Sequence, residues 1–292
     1  MSTNADPHSQ PPGSAQSYAV ELLYDEPPQM DARGLLLGIL DRCPDVERPG
    51  TDQGPLRFFH AAHRVPVPGG TLPVQTFIAA TNEIDLDALM ASARQTWKWR
   101  AARQALQQCT AAVVVTDMLA SNLDPRLRLG LFQRVLDGVL EVMPCKAIHW
   151  AAAQHLVDPV AFREAMARGE FSNPLHGAIN VRLFQIAGYG ASPVPGGTGD
   201  SLMDTMGLSA FGLGDIQCHF RGLDHEDVAR VLYGTAYQSF QDARSPGDGD
   251  AVPGAGANPL WRCRLERALQ APDRDVVDLD PGAPYAAGAR RA

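Results

Sequence analysis

The residue types best suited to chemistry gather between positions 200 and 220. Asp204-Thr205 precedes Gly207, Gly212, Gly214 and Asp215 follow, and His219 closes the block. Glycine permits positive φ and close backbone approach, as a ligand loop needs. Asp215 and His219 could form an acid/base pair, with His149 joining from a neighbouring strand. The same residues also suit a structural turn, in which Asp204 and Asp215 accept backbone N–H groups. Alternation after 215 puts Ile216, Cys218 and Phe220 on one side of a strand. Asp215, Gln217, His219 and Arg221 fall on the other. That polar row also fits a plain solvent face, and the turn reading takes precedence over the active-site one.

Other polar positions carry a similar choice. Asn180 and Arg182 share a face of their strand, and if it points towards 204, Arg182 pairs with Asp204 or Asp215. With Thr205 they are candidate contacts for a ligand or partner. Trp97 and Trp99 flank Lys98 near a helix end, which suits core packing with one exposed ring, or a hot spot for a partner protein. His149-Trp150 ends an apolar strand, where a histidine bonded to backbone is the expectation.

His149, His155, His176, His219 and His225 form neither H-x-x-x-H nor H-E-x-x-H, so no metal is expected. No cofactor is expected either. The run Gly196-Gly197-Thr198-Gly199-Asp200 lacks the lysine of a phosphate loop. No G-x-S-x-G elbow exists, and no serine is placed by sequence beside a histidine. The five cysteines are spread without C-x-x-C spacing, as buried free thiols in a reducing compartment would be.

These groups must be positioned by an ordinary globular chain. Of 292 residues, 45% are hydrophobic and 20% charged, enough for a core without disulfides or metal. The net charge of −8 argues against a nucleic-acid surface, because phosphate contacts need clustered cations. Arg126, Arg128 and Arg134 do cluster, but with Asp124, Asp137 and Glu141, as on a solvated helix face. No signal-peptide core or membrane-length apolar run is read, so a cytoplasmic location is expected, with no membrane association.

The pattern predicts a disordered arm over 1–17, a first α+β half over 18–120, a second over 121–270 and a loose tail over 271–292. The first half reads strand 18–24, a helix capped by Asp31, a hairpin of 56–65 with 72–79, a helix from Asp85 to Trp97 or beyond, and a buried strand 111–116. Asp124-Pro125 starts a helix to 143. Strand 147–150, a helix from Asp158-Pro159 and strand 178–187 follow. Then come a glycine/proline loop over 188–199, strand 214–221, a helix capped by Asp224, a loop over 245–257, and a final strand or helix at 260–268. Both halves read β-α-β-β-α-β. The fold expected is α+β, with tandem split-βαβ (ferredoxin-like) halves, either separate or merged into one antiparallel or mixed sheet with helices packed on it.

Several segments resemble the bacterial domain-of-unknown-function family 4261: Gln95-Thr96-Trp97-Lys98-Trp99, Val113-Val114-Val115-Thr116-Asp117, Pro125-Arg126-Leu127-Arg128-Leu129, Ala147-Ile148-His149-Trp150 and Asn180-Val181-Arg182-Leu183-Phe184. The fullest likeness runs from Met203-Asp204-Thr205-Met206-Gly207 to Cys218-His219-Phe220. The resemblance implies a bacterial source and a shared fold, and no particular chemistry. Acidic charge and the absence of a catalytic motif lead to a non-enzymatic, immunity-type module that recognises a protein with a basic surface. The alternative is a small-molecule hydrolase or ligand-binding domain using Asp204, Asp215, His219, His149 and Arg182.

Overall fold

A computed structural model describes residues 17–50, 54–81, 83–169, 174–186 and 200–288. The arm expected over 1–17, all but its last residue, and the loop expected over 188–199 lie outside the described residues. The chain divides into one unit of residues 1–178 with 210–212, and a second of 179–209 with 213–292.

Aspartate sets the start of five helices: α1 (Ala32–Leu40), α2 (Leu86–Arg94), α4 (Pro125–Val142), α5 (Pro159–Ala167) and α6 (His225–Gln241). The carboxylates of Asp31, Asp85, Asp124, Asp158 and Asp224 accept the first free backbone N–H groups. Each such cap contributes about 1 kcal/mol. The helix expected to reach Trp97 or beyond stops at Arg94, and a separate α3 (Ala102–Gln107) follows.

Among its described residues the first unit holds seven strands: β1 (Ala19–Tyr24), β2 (Val46–Glu47), β3 (Leu56–Val67), β4 (Gly70–Thr81), β5 (Ala111–Met118), β6 (Ala147–Trp150) and β7 (His155–Val157). Their order is β2-β3-β4-β5-β1-β6-β7, and every pair is antiparallel. Leu23, Ala112 and Ala147 meet Leu89, Ala93 and Leu106, so α2 and α3 cover one face. Alternation sends Tyr24 to the opposite face, where its hydroxyl donates to Met143 O at the end of α4, 3.0 Å away. There α1 and α4 cross at Gly38 and Gly138. A Cβ on Gly138 would stand 2.5 Å from Gly38 O.

Arg128 departs from the solvated face expected of its helix. It is 2% exposed and forks onto Asp117, Nε to Oδ2 at 2.6 Å and Nη2 to Oδ1 at 2.9 Å. The expected boundary at 120 falls inside this unit, because β6 pairs with β1 and brings α4 and α5 along.

The second unit holds β8 (Asn180–Ile186), β9 (Asp200–Met206), β10 (Asp215–Phe220), β11 (Ala251–Pro253), β12 (Leu260–Arg267) and β13 (Asp275–Asp280), ordered β11-β12-β13-β10-β9-β8. Helix α6 buries Val228, Leu232, Ala236 and Phe240. Two expectations change here. Residues 200–206, read as part of a turn, form a strand, and of the two alternatives left open for 260–268 the strand is the one found, over 260–267. The tail expected to be loose from 271 contains β13, which lies inside the sheet, antiparallel to β12 and parallel to β10. Val276, Val277 and Leu279 are buried, and that burial holds the strand in place.

The α+β class stands, with helices packed on two separate sheets. In the first unit the chain order β1-α1-β3-β4-α2-β5 repeats the expected motif. Its pairing is fully antiparallel, because β5 lies between β4 and β1.

Candidate functional site

A polar row crosses five strands of the second sheet. Arg182 on β8 stands opposite Asp204 on β9, Asp204 opposite Gln217 on β10, Gln217 opposite Asp278 on β13, and Asp278 opposite Arg264 on β12. Facing residues in paired strands project from the same side, so the row is one continuous ladder. Its middle is dry: Asp204, Gln217 and Asp278 are each 2% exposed or less. The polar side of β10 is therefore interior at Asp215 and Gln217, and only at Arg221 does it become the solvent face its alternation allowed.

Buried charge is tolerated only when paired and hydrogen-bonded. Arg182 forks onto Asp204, Nε to Oδ1 at 2.8 Å and Nη2 to Oδ2 at 2.6 Å. Arg274, on the turn between β12 and β13, adds the second cation. Its Nη2 donates to Asp204 Oδ2 at 2.9 Å and to Thr205 O at 3.2 Å, and its Nε donates to Asp215 Oδ2 at 3.2 Å. Its Nη1 donates to the carbonyls of Gln270 and Pro272 at 3.2 and 3.0 Å. The five N–H groups of a guanidinium are thus all engaged. Asp215 Oδ1 also accepts from Thr205 Oγ1 at 3.3 Å and Leu208 N at 3.1 Å. Burial pushes the Asp215 carboxyl up to about 6, against the pull of Arg274.

The structure brings Arg182, Asp204, Thr205 and Asp215 together, and their polar groups are turned onto one another. A general base needs a lone pair aimed at substrate, whereas both oxygens of Asp204 accept from arginine. His219 is four residues along β10 from Asp215, about 13 Å at strand rise. It stands opposite Leu202, with Nε2 3.8 Å from Asp200 Oδ2. Asp215 and His219 therefore form no acid/base pair. Asn180 is buried opposite Met206.

Three further candidates lie in the first unit. Trp97 is 40% exposed, with Lys98 Nζ 5.4 Å from its ring centre, while Trp99 packs on the α2–α3 core. His149 is buried and bonded to side chains rather than to backbone, between Glu21 and Ser92. Sequence reasoning missed Arg274, Glu21 and Ser92. Arg274 sits in a segment read as tail, and Ser92 lies 57 residues from His149.

The second unit also carries a groove of about 920 Å³ between α6 and β11, within the size range of ligand sites. Asp227, Val231, Gly234, Asp242, Asp250 and Val252 line it, along with Arg230 and Arg244. The arginines pair locally, Arg230 with Asp227 at 2.6 Å and Arg244 with Asp250 at 3.4 Å. Asp242 accepts from Gln238 Nε2 at 2.8 Å, a neutral donor, so the rim keeps a net negative charge. Among the described residues no group of three or more His, Cys, Asp or Glu is placed to hold a metal ion, and no helix is long and apolar enough to cross a membrane.

The second unit is thus a mixed sheet backed by one long helix, tied by a buried arginine–aspartate network and bearing a groove. Residues 204–280 match the family model described as Domain of unknown function (DUF4261), so the resemblance read from the sequence is shown for this segment. The match takes in Asp204, Asp215, Arg274 and the whole groove, and leaves out Arg182. No curated protein matches the chain.

Proposed function

We propose that the second unit is a non-enzymatic protein-interaction module of the immunity type, receiving a basic segment of a partner along the groove between α6 and β11. The observation that carries this reading is the division of labour among carboxylates. Asp204 and Asp215 are buried and consumed internally by Arg182 and Arg274, while Asp227 and Asp250, each paired with an exposed arginine, line an open groove with Asp242, whose partner Gln238 is neutral. A chain with net charge −8 would draw a basic partner by long-range attraction. β11 is the outer strand of its sheet, and Pro253 there lacks an N–H to donate. Side chains of the groove, rather than strand addition, would then supply recognition.

The hydrolase reading at 204–219 has less support, because its two carboxylates are buried and ion-paired.

A blocking substitution tests the proposal. A Cβ on Gly234 would meet nothing within 4 Å, so Gly234→Trp can leave the helix without a clash at Cβ and place an indole in the groove, and its melting temperature should match that of the wild type. The tagged wild-type chain should retain a stoichiometric basic partner from its native host, in a manner weakened by salt. Gly234→Trp should lose it. No stoichiometric partner, or equal capture by both chains, would overturn the reading.

A further inference from the structure

Three side chains in the first unit form a relay that the proposed interaction does not use. Ser92 Oγ lies 3.0 Å from His149 Nε2, and His149 Nδ1 lies 2.8 Å from Glu21 Oε2. A carboxylate only accepts, so Nδ1 carries a proton, and when the ring is neutral Nε2 accepts from the serine hydroxyl. Three separate elements build this alignment. Glu21 and His149 are directly opposed on β1 and β6, and Ser92 comes down from α2 on the face those helices cover. A hydroxyl in hydrogen-bond reach of a base, itself oriented by a third group, is the arrangement of an activated nucleophile.

The surroundings define what could reach it. Ser92 is 4% exposed and His149 7%, whereas the Glu21 side chain is 36% exposed, so the relay runs from a solvent-facing carboxylate into a nearly dry hydroxyl. Beyond Glu21 the same sheet face continues through Val114 and Ala79, with Ala19, Thr116 and Phe77 in the adjoining rows. All five are half-buried rather than covered. That floor is small and mostly apolar, and its far end is bounded by Arg57, which pairs with Phe77 across the strands and lays its guanidinium 4.7 Å from the ring centre.

We propose that Ser92 is an acyl-accepting nucleophile, with His149 as base and Glu21 as positioning residue, acting on small carboxylic esters. Ser92 Oγ bonds to the acyl carbon as its proton passes to His149 Nε2. The ester C–O bond then breaks, and the leaving alcohol takes that proton. Water activated by the same ring releases the carboxylic acid and restores Ser92.

The test uses the full chain and p-nitrophenyl acetate, with peptide mass mapping. Wild type should release a burst of p-nitrophenolate and carry one acetyl group on Ser92. His149→Gln should slow acetylation roughly 100-fold or more. Glu21→Gln, at a strand position open to solvent, should leave the melting temperature unchanged and slow acetylation at least about tenfold. The structure predicts no acetylation at position 92 in Ser92→Ala. Absence of acetyl-Ser92 in the wild-type chain overturns the proposal. So does an unchanged acetylation rate in folded Glu21→Gln, which would leave the carboxylate a purely structural partner.

Discussion

Arg274 Nη2 donates to Asp204 Oδ2 at 2.9 Å across 70 residues of sequence. Through its Nε the same guanidinium holds Asp215, so one side chain on a turn gathers the carboxylates of two strands. Removing it leaves Asp204 held by Arg182, and strips Asp215 of this guanidinium, with Thr205 Oγ1 and Leu208 N still donating to it. We expect Arg274→Ala to destabilise the second unit by about 3–5 kcal/mol. Arg274→Lys should recover little, because an ammonium cannot fork onto two carboxylates and a carbonyl. Hydrogen exchange of β9 and β10 amides would register both effects, and unchanged protection would mean the network contributes nothing net.

The crossing of α1 and α4 gives a second prediction. A methyl group at Gly138 meets backbone of α1, whereas one at Gly130 meets only the flexible end of Arg134, 3.6 Å away. Gly138→Ala should therefore cost about 1–3 kcal/mol by forcing the helices apart. Gly130→Ala, in the same helix, should stabilise by about 0.5–1 kcal/mol. Chemical denaturation of the two variants should show opposite signs.

Acid should act on the two units in opposite directions. His60 is buried against Thr76, and burial lowers its pKa to about 4. The unfolded chain takes up this proton near 6.5, the fold only near 4. Stability from His60 is complete above 6.5 and declines as pH falls through that window, by up to roughly 3 kcal/mol. His155 is shifted the same way, chiefly by burial.

Asp215 has the reverse sign. Its folded carboxyl binds a proton near 6 and its unfolded one near 3.8, so its contribution to stability grows as pH falls from 6 to 4. Titration from pH 6.5 to 4, followed by exchange protection in each unit, should weaken the first relative to the second. Asp215→Asn should abolish the opposing slope in the second.

Much of the framework was legible because its signals are local. The aspartate caps at 31, 85, 124, 158 and 224 each lie within three residues of the N–H groups they serve. Strand β5 announced itself as an unbroken apolar run. Strands β9 and β13 were hidden because aspartate occupies interior positions in both, and polarity in a single sequence reads as exposure. Only the pairing of Asp204 with Arg182 and Arg274 makes burial tolerable, and no spacing rule encodes that pairing. The pairing of Arg182 with Asp204 was foreseeable as one of two choices. The third partner, Arg274, was not, since its placement depends on β13 entering the sheet. Ser92 and His149 meet for a similar reason: α2 and β6 are distant in sequence and adjacent only after the first sheet assembles.

The position of β13 bears on the order in which the chain can fold as it is made. β8, β9 and β10 emerge consecutively and can zip together at once. The other edge of β10 must then wait, its amides and carbonyls open to the cell, until residue 280 has been synthesised. During that interval Asp204 and Asp215 lack Arg274, and the unguarded edge is a template for pairing with any passing strand. A nascent chain stalled after β12 would be the most aggregation-prone form this protein takes.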